Sequence, residues 1–286
     1  MSDIRKVAVL GAGTMGHGIA QVCAAEGCTV VLYDIDDAAV RRGMDRIEGN
    51  LSKGVSLGKV APEEKDATFE RLSASTSIGE AVEGADLVVE AAPEVIDVKR
   101  GIFAEVDAAA PGHAILATNT SSLSIGQIAQ ATSDPSRLVG LHFFNPVHIM
   151  KLVEVVWGTE TSDDTREAAV AFVKRLGKEP IMVKDSPGFA SSRLGIVLGM
   201  EAIRMVEDGV ASAQDIDKAM ELGYRHPMGP LKLTDLVGLD VRLGIADYLC
   251  EALQSDAFRP PELLRRMVEE GKLGKKSGHG FYDWNE

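Results

Sequence analysis

The stretch KVAVLGAGTMGHG, residues 6–18, decides the fold. A short apolar run enters a turn in which Gly11, Gly13 and Gly16 stand in G-x-G-x-x-G spacing, and a helical pattern follows. A strand that ends in such a turn and opens a helix is the first unit of a dinucleotide-binding sheet. Gly11 permits the tight turn. Gly13 lets the backbone approach a pyrophosphate that rests on the helix N-terminus, and Gly16 lets helix and strand pack closely. Thr14 and Met15 lie in the same turn and count with the glycines as cofactor-binding residues. The next apolar run, TVVLYD, ends in Asp34, 18 residues after Gly16. A carboxylate there accepts hydrogen bonds from a ribose diol and repels a 2′-phosphate, so the expected cofactor is NAD rather than NADP. FAD shares the glycine fingerprint but usually needs further binding segments, and none is recognisable in this sequence.

Outward from this unit, short β-rich runs alternate with helical segments: ADLVVEAA, HAILATNTSS, RLVGLHFF, KLVEVV and PIMVKD. The first three, like the two before them, are near-continuously apolar, as strands covered on both faces by helices should be. Helices are expected at Met15–Glu26 and Asp163–Leu176, each followed by a glycine suited to a C-cap. The alternation predicts an α/β fold, a Rossmann-type doubly wound and mainly parallel sheet. Residues 38–76 are too long and polar for a simple crossover and read as a helical excursion broken near SLGKVAPEE. After VKDSPGF the texture turns helical, with SSRLGIVLGMEAIRMVEDG, SAQDIDKAMELG and PPELLRRMVEEG, and the next strand-like run is the tail GFYDW. The expected domains are therefore residues 1–186, binding NAD, and residues 187–286, smaller and all-helical.

Composition narrows the function. The 286 residues are 45% hydrophobic and 26% charged, as in an ordinary globular protein. A net charge of −13 argues against a nucleic-acid partner, since phosphate backbones need a basic face. An anionic substrate would need a local basic patch, and Lys53 and Lys59 in the excursion are its nearest approach in this half. No signal peptide or membrane-spanning run is expected. The three cysteines match no metal or disulfide spacing and read as reduced, packed thiols of a cytoplasmic protein, with no metal site.

Ligands of an open α/β sheet bind at the carboxyl ends of its strands. Those ends carry Glu94 in AAPE, Asn119 to Ser122 in TNTSS, and His142 to Asn145 in HFFNP. With a period of two, His142 shares a face with Gly140 and Phe144, and Glu154 shares one with Leu152 and Val156. The two strands are consecutive, so His142 and Glu154 are expected to face each other. A carboxylate on one ring nitrogen fixes the tautomer and favours the imidazolium formed when the other nitrogen takes a proton. That is the arrangement of a general base beside a hydride acceptor, although a purely structural pair would look alike in sequence.

The segments GAGTMGHGIAQVCAAEG, VVEAAPE, TNTSSLSI, GLHFFNPVHIMKLVEVV, KDSPGF, HPMGPLKLTDLVGLD and GKKSGHGFYDW together resemble the 3-hydroxyacyl-CoA dehydrogenases, in order from about residue 5 to residue 284. The nearest type is the single-function bacterial 3-hydroxybutyryl-CoA enzymes. The resemblance implies reversible, NAD-dependent oxidation of a short L-3-hydroxyacyl-CoA to the 3-oxoacyl-CoA, as in fatty-acid β-oxidation. It makes His142 the base, Glu154 its partner, and Ser121 a hydrogen-bonding group for the 3-oxygen or the thioester. It brings Glu94, Lys99, Asn145 and Lys276 to NAD, and puts CoA phosphates near Asn50 and Lys53 or Lys59. It also implies a homodimer through the helical domain. The family's usual PGF-x-x-N-R reads PGFASSR here, so Ser192 stands at a catalytic position where asparagine is usual. Serine offers one hydroxyl in place of an amide and reaches less far. Two other readings share much of this pattern: a gulonate-type dehydrogenase of a free hydroxy acid, and a non-catalytic NAD-binding relative such as the lens crystallin of this family.

Overall fold

The computed structural model describes residues 4–285, so residues 1–3 and 286, at the outer ends of the two expected domains, lie outside the described residues. The chain starts its sheet at β1 (Lys6–Leu10), turns into α1 (Gly16–Ala25) and returns in β2 (Thr29–Tyr33). The excursion is a helix pair, α2 (Asp37–Ser56) and α3 (Pro62–Glu70). The Asp36 carboxylate caps α2 by accepting the Ala39 N–H at 2.7 Å. Gly58, with φ +65°, and Pro62 in the first turn of α3 break the pair where the sequence predicts.

One expectation needs correction. The excursion does not run helical to residue 76, because Leu72–Ser75 form β3 at the edge of the sheet. The sequence LSAS has no apolar run. Its strand conformation comes from pairing with β2, which supplies the backbone partners. From there α4 (Ile78–Val82), β4 (Leu87–Glu90), α5 (Ile96–Ala109), β5 (Ile115–Thr118), α6 (Ile125–Ala129) and β6 (Leu138–Phe143) alternate. β7 (Leu152–Trp157), α7 (Asp163–Arg175) and β8 (Glu179–Lys184) complete the sheet, in the order β3-β2-β1-β4-β5-β6-β7-β8. Among the described residues, β6–β7 is the one antiparallel pair of neighbouring strands. Winding outwards in both directions from β1 makes the sheet doubly wound. Its central strands and the faces of α1 and α7 enclose an apolar core that includes Val9, Ile19, Leu32, Val89, Leu141 and Phe172. Cys23 lies in this core, where burial pushes its thiol pKa up and keeps it protonated.

The chain divides after Ser186 into a second compact unit. It is built from α8 (Ser191–Glu207), α9 (Ala213–Lys218), α10 (Pro230–Val237), α11 (Leu239–Leu253) and α12 (Glu262–Glu269). Ile196, Met200, Ile203, Leu231, Leu249 and Leu264 are part of its core. The tail GFYDW is not the strand its sequence suggests. It makes isolated bridges, and one side chain holds two of its backbone N–H groups. The buried Asp235 carboxylate accepts the Phe281 and Tyr282 N–H groups and the Trp284 indole N–H, each at 2.9 Å.

Candidate active site

The glycine turn is built as nucleotide binding requires. Gly11 has φ +108°, and a Cβ there would strike the Ala91 carbonyl. A Cβ on Gly16 would run into the Gly11 carbonyl oxygen. Gly13 differs: a Cβ there would meet nothing within 4 Å, so the space it leaves open faces outward rather than into the fold. α1 has no side-chain cap and no acidic residue in its first turn, which leaves its N-terminal N–H groups and positive dipole end for an anion. NAD therefore fits this cradle. Asp34 Oδ2 accepts the Ala12 N–H at 2.8 Å, tying the end of β2 to the turn. Replacing Asp34 with alanine is expected to raise KM for NAD roughly 10- to 100-fold, the worth of a charged hydrogen bond. Initial rates with NAD and NADP would show this, together with a weakened preference for NAD.

Beyond the turn, the ends of β4 and β5 are held by buried charge. Glu90 is sealed and accepts the Lys99 ammonium at 2.7 Å, the Thr118 hydroxyl at 2.6 Å and the Ala92 N–H at 2.6 Å. Lys99, 1% exposed, also reaches the Ala92 carbonyl at 3.2 Å and Glu94 at 3.4 Å. The resemblance brings Lys99 to NAD, and the structure places it between Glu90 and Glu94. Its ammonium balances two carboxylates, which a buried cation must do to stay charged. Glu90 was not singled out in the sequence, although a carboxylate ending the apolar run ADLVVE is the signal for it.

Glu94 organises the TNTSS segment. One of its oxygens accepts the Thr120 hydroxyl at 2.7 Å and the Ser121 and Ser122 N–H groups at 2.8 and 3.1 Å. The Ser121 hydroxyl donates to the same oxygen at 3.1 Å, which leaves the serine oxygen as an acceptor for a ligand. Burial pushes the Glu94 carboxyl up, but the Lys99 charge and these donors outweigh it and hold the pKa below its ordinary 4.5. A depressed folded value stabilises the protein above pH 4.5, and that contribution is lost as pH falls through the lower value. Melting temperatures of wild type and Glu94→Gln are therefore expected to differ above that pH and to converge below it.

Next in the sheet, β6 and β7 pair with His142 directly opposite Glu154. The ring Nδ1 lies 2.7 Å from Glu154 Oε2, with Glu154 0% and His142 7% exposed. A carboxylate only accepts, so Nδ1 carries the hydrogen and the neutral ring has its lone pair on Nε2. Phe144 stacks at a tilt of 45° with ring centroids 4.5 Å apart, restricting the imidazole from the side. The half-buried Asn119 accepts the Phe143 N–H at 2.9 Å and so fastens the end of β5 beside the histidine.

A cleft of about 950 Å³ opens between α1, the α2–α3 pair and the turn joining β6 to β7. Asn50, Lys53 and Lys59 line it, and Thr14 and Asn145 share its wall. Two histidines to which the sequence assigned no role, His17 and His148, also line it. Burial, with the nearby His17, Lys178 and Lys53, lowers the His148 pKa, so positive groups converge here within an acidic chain. Sequence reasoning missed Lys178 as well. Its buried ammonium donates to the Val147 and Met150 carbonyls at 2.6 and 2.7 Å and pins the β6–β7 turn.

In the second unit, Ser192 sits in the first turn of α8. Lys276 is ion-paired with Asp240, its Nζ 2.6 Å from Oδ2. Among the described residues no helix is long and apolar enough to cross a membrane.

A glycine cradle for a dinucleotide, with a histidine–carboxylate pair on a neighbouring stretch of the same sheet, is the build of a nicotinamide-dependent dehydrogenase. Residues 6–186 match the family described as 3-hydroxyacyl-CoA dehydrogenase, NAD binding domain, and residues 188–284 match 3-hydroxyacyl-CoA dehydrogenase, C-terminal domain. Over 284 residues the chain is 44% identical to a probable 3-hydroxybutyryl-CoA dehydrogenase of Bacillus subtilis, covering 99% of each. It is 43% identical over 285 residues to a 3-hydroxyadipyl-CoA dehydrogenase of Escherichia coli, covering 99% of this chain and 60% of that protein. The crystal structure of an (S)-3-hydroxybutyryl-CoA dehydrogenase from Ralstonia eutropha matches with a TM-score of 0.96 at 42% identity, covering 99% of this chain and 100% of that one. The chain belongs to the 3-hydroxyacyl-CoA dehydrogenase family and is an NAD-dependent oxidoreductase.

Proposed function

We propose that the protein oxidises a short (S)-3-hydroxyacyl-CoA to the 3-oxoacyl-CoA, reversibly, with His142 as the general base. The observation that carries this reading is the buried His142–Glu154 pair, whose hydrogen bond leaves Nε2 as the basic atom. NAD, when bound, supplies the hydride acceptor. His142 Nε2 takes the hydroxyl proton as hydride leaves C3, and the imidazolium that forms is neutralised by Glu154. In reduction the imidazolium returns the proton. Ser121 hydrogen-bonds the 3-oxygen or the thioester region by turning its hydroxyl from Glu94, which otherwise sets the serine's orientation. Asn119 holds the end of β6, while Asn145 contributes to the cofactor side of the cleft. Asn50, Lys53 and Lys59 hold the CoA phosphates, supported by their common cleft. Ser192 takes the catalytic position, and Lys276 the NAD contact, that the family resemblance implies.

A short acyl chain is favoured because two relatives are named for a four-carbon group and one for a six-carbon diacid. We further infer a cytoplasmic enzyme of acyl-CoA β-oxidation or its reverse, and a homodimer. Leu194, Leu222 and Tyr224 of the second unit are exposed at 68%, 81% and 76%, an apolar cost that a second copy would remove. The test is steady-state oxidation of (S)-3-hydroxybutyryl-CoA with NAD, run beside a free gulonate-type hydroxy acid. NADH formation from the thioester is expected. Turnover of the free acid alone, or tight NAD binding with no turnover of any acyl-CoA, would replace this reading with one of the two others.

A further inference from the structure

The first turn of α1 and the turn joining β6 to β7 meet at Gly18 and Val147, where a Cβ on the glycine would lie 2.9 Å from the valine Cβ. The flanking residues, His17 and His148, both line the 950 Å³ cleft. Hydrogen bonds from the Lys178 ammonium to the Val147 and Met150 carbonyls bracket His148 and fix its place in the wall. The charges that bear on His148 are those of His17, Lys178 and Lys53, and none of them is a carboxylate. Of the other charged side chains in the wall, Glu64 accepts the Ala61 N–H and Arg71 donates to the Ala24 carbonyl. Glu26 and Lys59 complete the set.

The hydrogen bonding of His17 dictates what its ring can hold. Nδ1 lies 2.7 Å from the Gly13 carbonyl oxygen, which only accepts, so Nδ1 carries a hydrogen and the neutral ring has its lone pair on Nε2. A phosphate oxygen also only accepts. Nε2 therefore binds an anion only after it takes a proton. His17 stands in the first turn of α1, where the helix dipole disfavours a cation and favours an anion. His148 is under the same pressure: burial, then His17, Lys178 and Lys53, lower its pKa and keep its ring neutral in the free protein. An anion seated in the cleft reverses that field, so anion binding and protonation favour each other, and by linkage the coupling is reciprocal. In a chain of net charge −13, such a device places positive charge where an anionic ligand docks. We propose that His17 and His148 are phosphate ligands of the acyl-CoA and bind it in their protonated form, so that its binding takes up protons and tightens as pH falls. This rests on the reading that the cleft holds the CoA phosphates.

The test uses three (S)-3-hydroxybutyryl thioesters with NAD: that of CoA, that of dephospho-CoA, which lacks the 3′-phosphate, and that of pantetheine, which has no phosphate. Rates are taken at about pH 6.5 and about pH 8.5, across the range in which imidazoles titrate. Dividing kcat/KM for the CoA thioester by that for the pantetheine thioester cancels the titration of His142, which acts on both. In wild type this ratio is expected to rise about tenfold from the higher pH to the lower, within the hundredfold that about one fully linked proton would give. The doubly substituted His17→Gln, His148→Gln protein should show a ratio that does not change with pH, and each single variant an intermediate rise. Heats of binding CoA alone, measured in two buffers of different ionisation enthalpy, should show proton uptake by wild type and none by the double variant. A rise that persists with the dephospho-CoA thioester makes the diphosphate the partner, and one lost with it makes the 3′-phosphate the partner. A wild-type ratio constant with pH, or a pH-dependent ratio kept in the double variant, overturns the proposal. So does a raised KM for NAD in His17→Gln with the ratio intact, which would assign that ring to the dinucleotide. If the double variant does not fold, the wild-type ratio and the single variants decide the matter. A preference for CoA over pantetheine that ignores pH refutes this inference alone. No preference at either pH refutes the phosphate reading of the cleft, and turnover of none of the three refutes the dehydrogenase reading itself.

Discussion

Replacing His142 with glutamine is expected to lower kcat by about 10²–10⁴-fold, the usual contribution of a positioned general base. Glutamine is close to histidine in reach, and its amide can still donate to Glu154, so the buried carboxylate keeps a partner. What the variant lacks is a basic nitrogen where Nε2 stands. The glycine turn, Asp34 and α1 are untouched, so NAD binding measured by fluorescence titration should stay within about twofold of wild type, the scatter expected for an independent site. The paired result, lost turnover with retained cofactor, separates a base from a structural strand clasp. Turnover kept in His142→Gln with unchanged NAD affinity would sink the assignment.

The second large effect is on stability. Lys99→Met removes the ammonium that lies 2.7 Å from the sealed Glu90 and 3.4 Å from Glu94. The apolar stem of methionine can fill the site, but Glu90 is left as a buried charge with only the Thr118 hydroxyl and the Ala92 N–H. Breaking a buried pair in this way costs about 3–5 kcal/mol. Chemical denaturation should show that loss in the first unit. Adding Glu90→Gln to Lys99→Met should recover most of it, because the double change removes the stranded charge as well. If Lys99→Met alone unfolds like wild type, the ammonium is not the counter-charge described above.

Much of the first unit was legible because its signals are local. Apolar runs of strand length, the glycine spacing and Asp34 each report on a few neighbouring residues, and α1, β1 and β2 follow from them. The reading fails where a distant partner, rather than the local pattern, decides the conformation. LSAS becomes β3 only because β2 offers an edge, and GFYDW docks on Asp235 instead of forming a ladder. Lys99 illustrates the same limit in the site. Only the family resemblance brings it to NAD, and its burial against two carboxylates cannot be read from the sequence.

The sequence by itself determined the class of sheet, the nucleotide turn, and the residue types available for proton and hydride chemistry, because these depend on spacings of two to about twenty residues. Only the tertiary structure decided which groups meet. The antiparallel register of β6 and β7 brings His142 onto Glu154, and the ends of β4 and β5 gather Glu90, Lys99 and Glu94 into one charge-balanced cluster. The packing of α11 on α8 buries Arg242. Burial and pairing set the energy of a charge, and both are properties of the folded neighbourhood rather than of the residue.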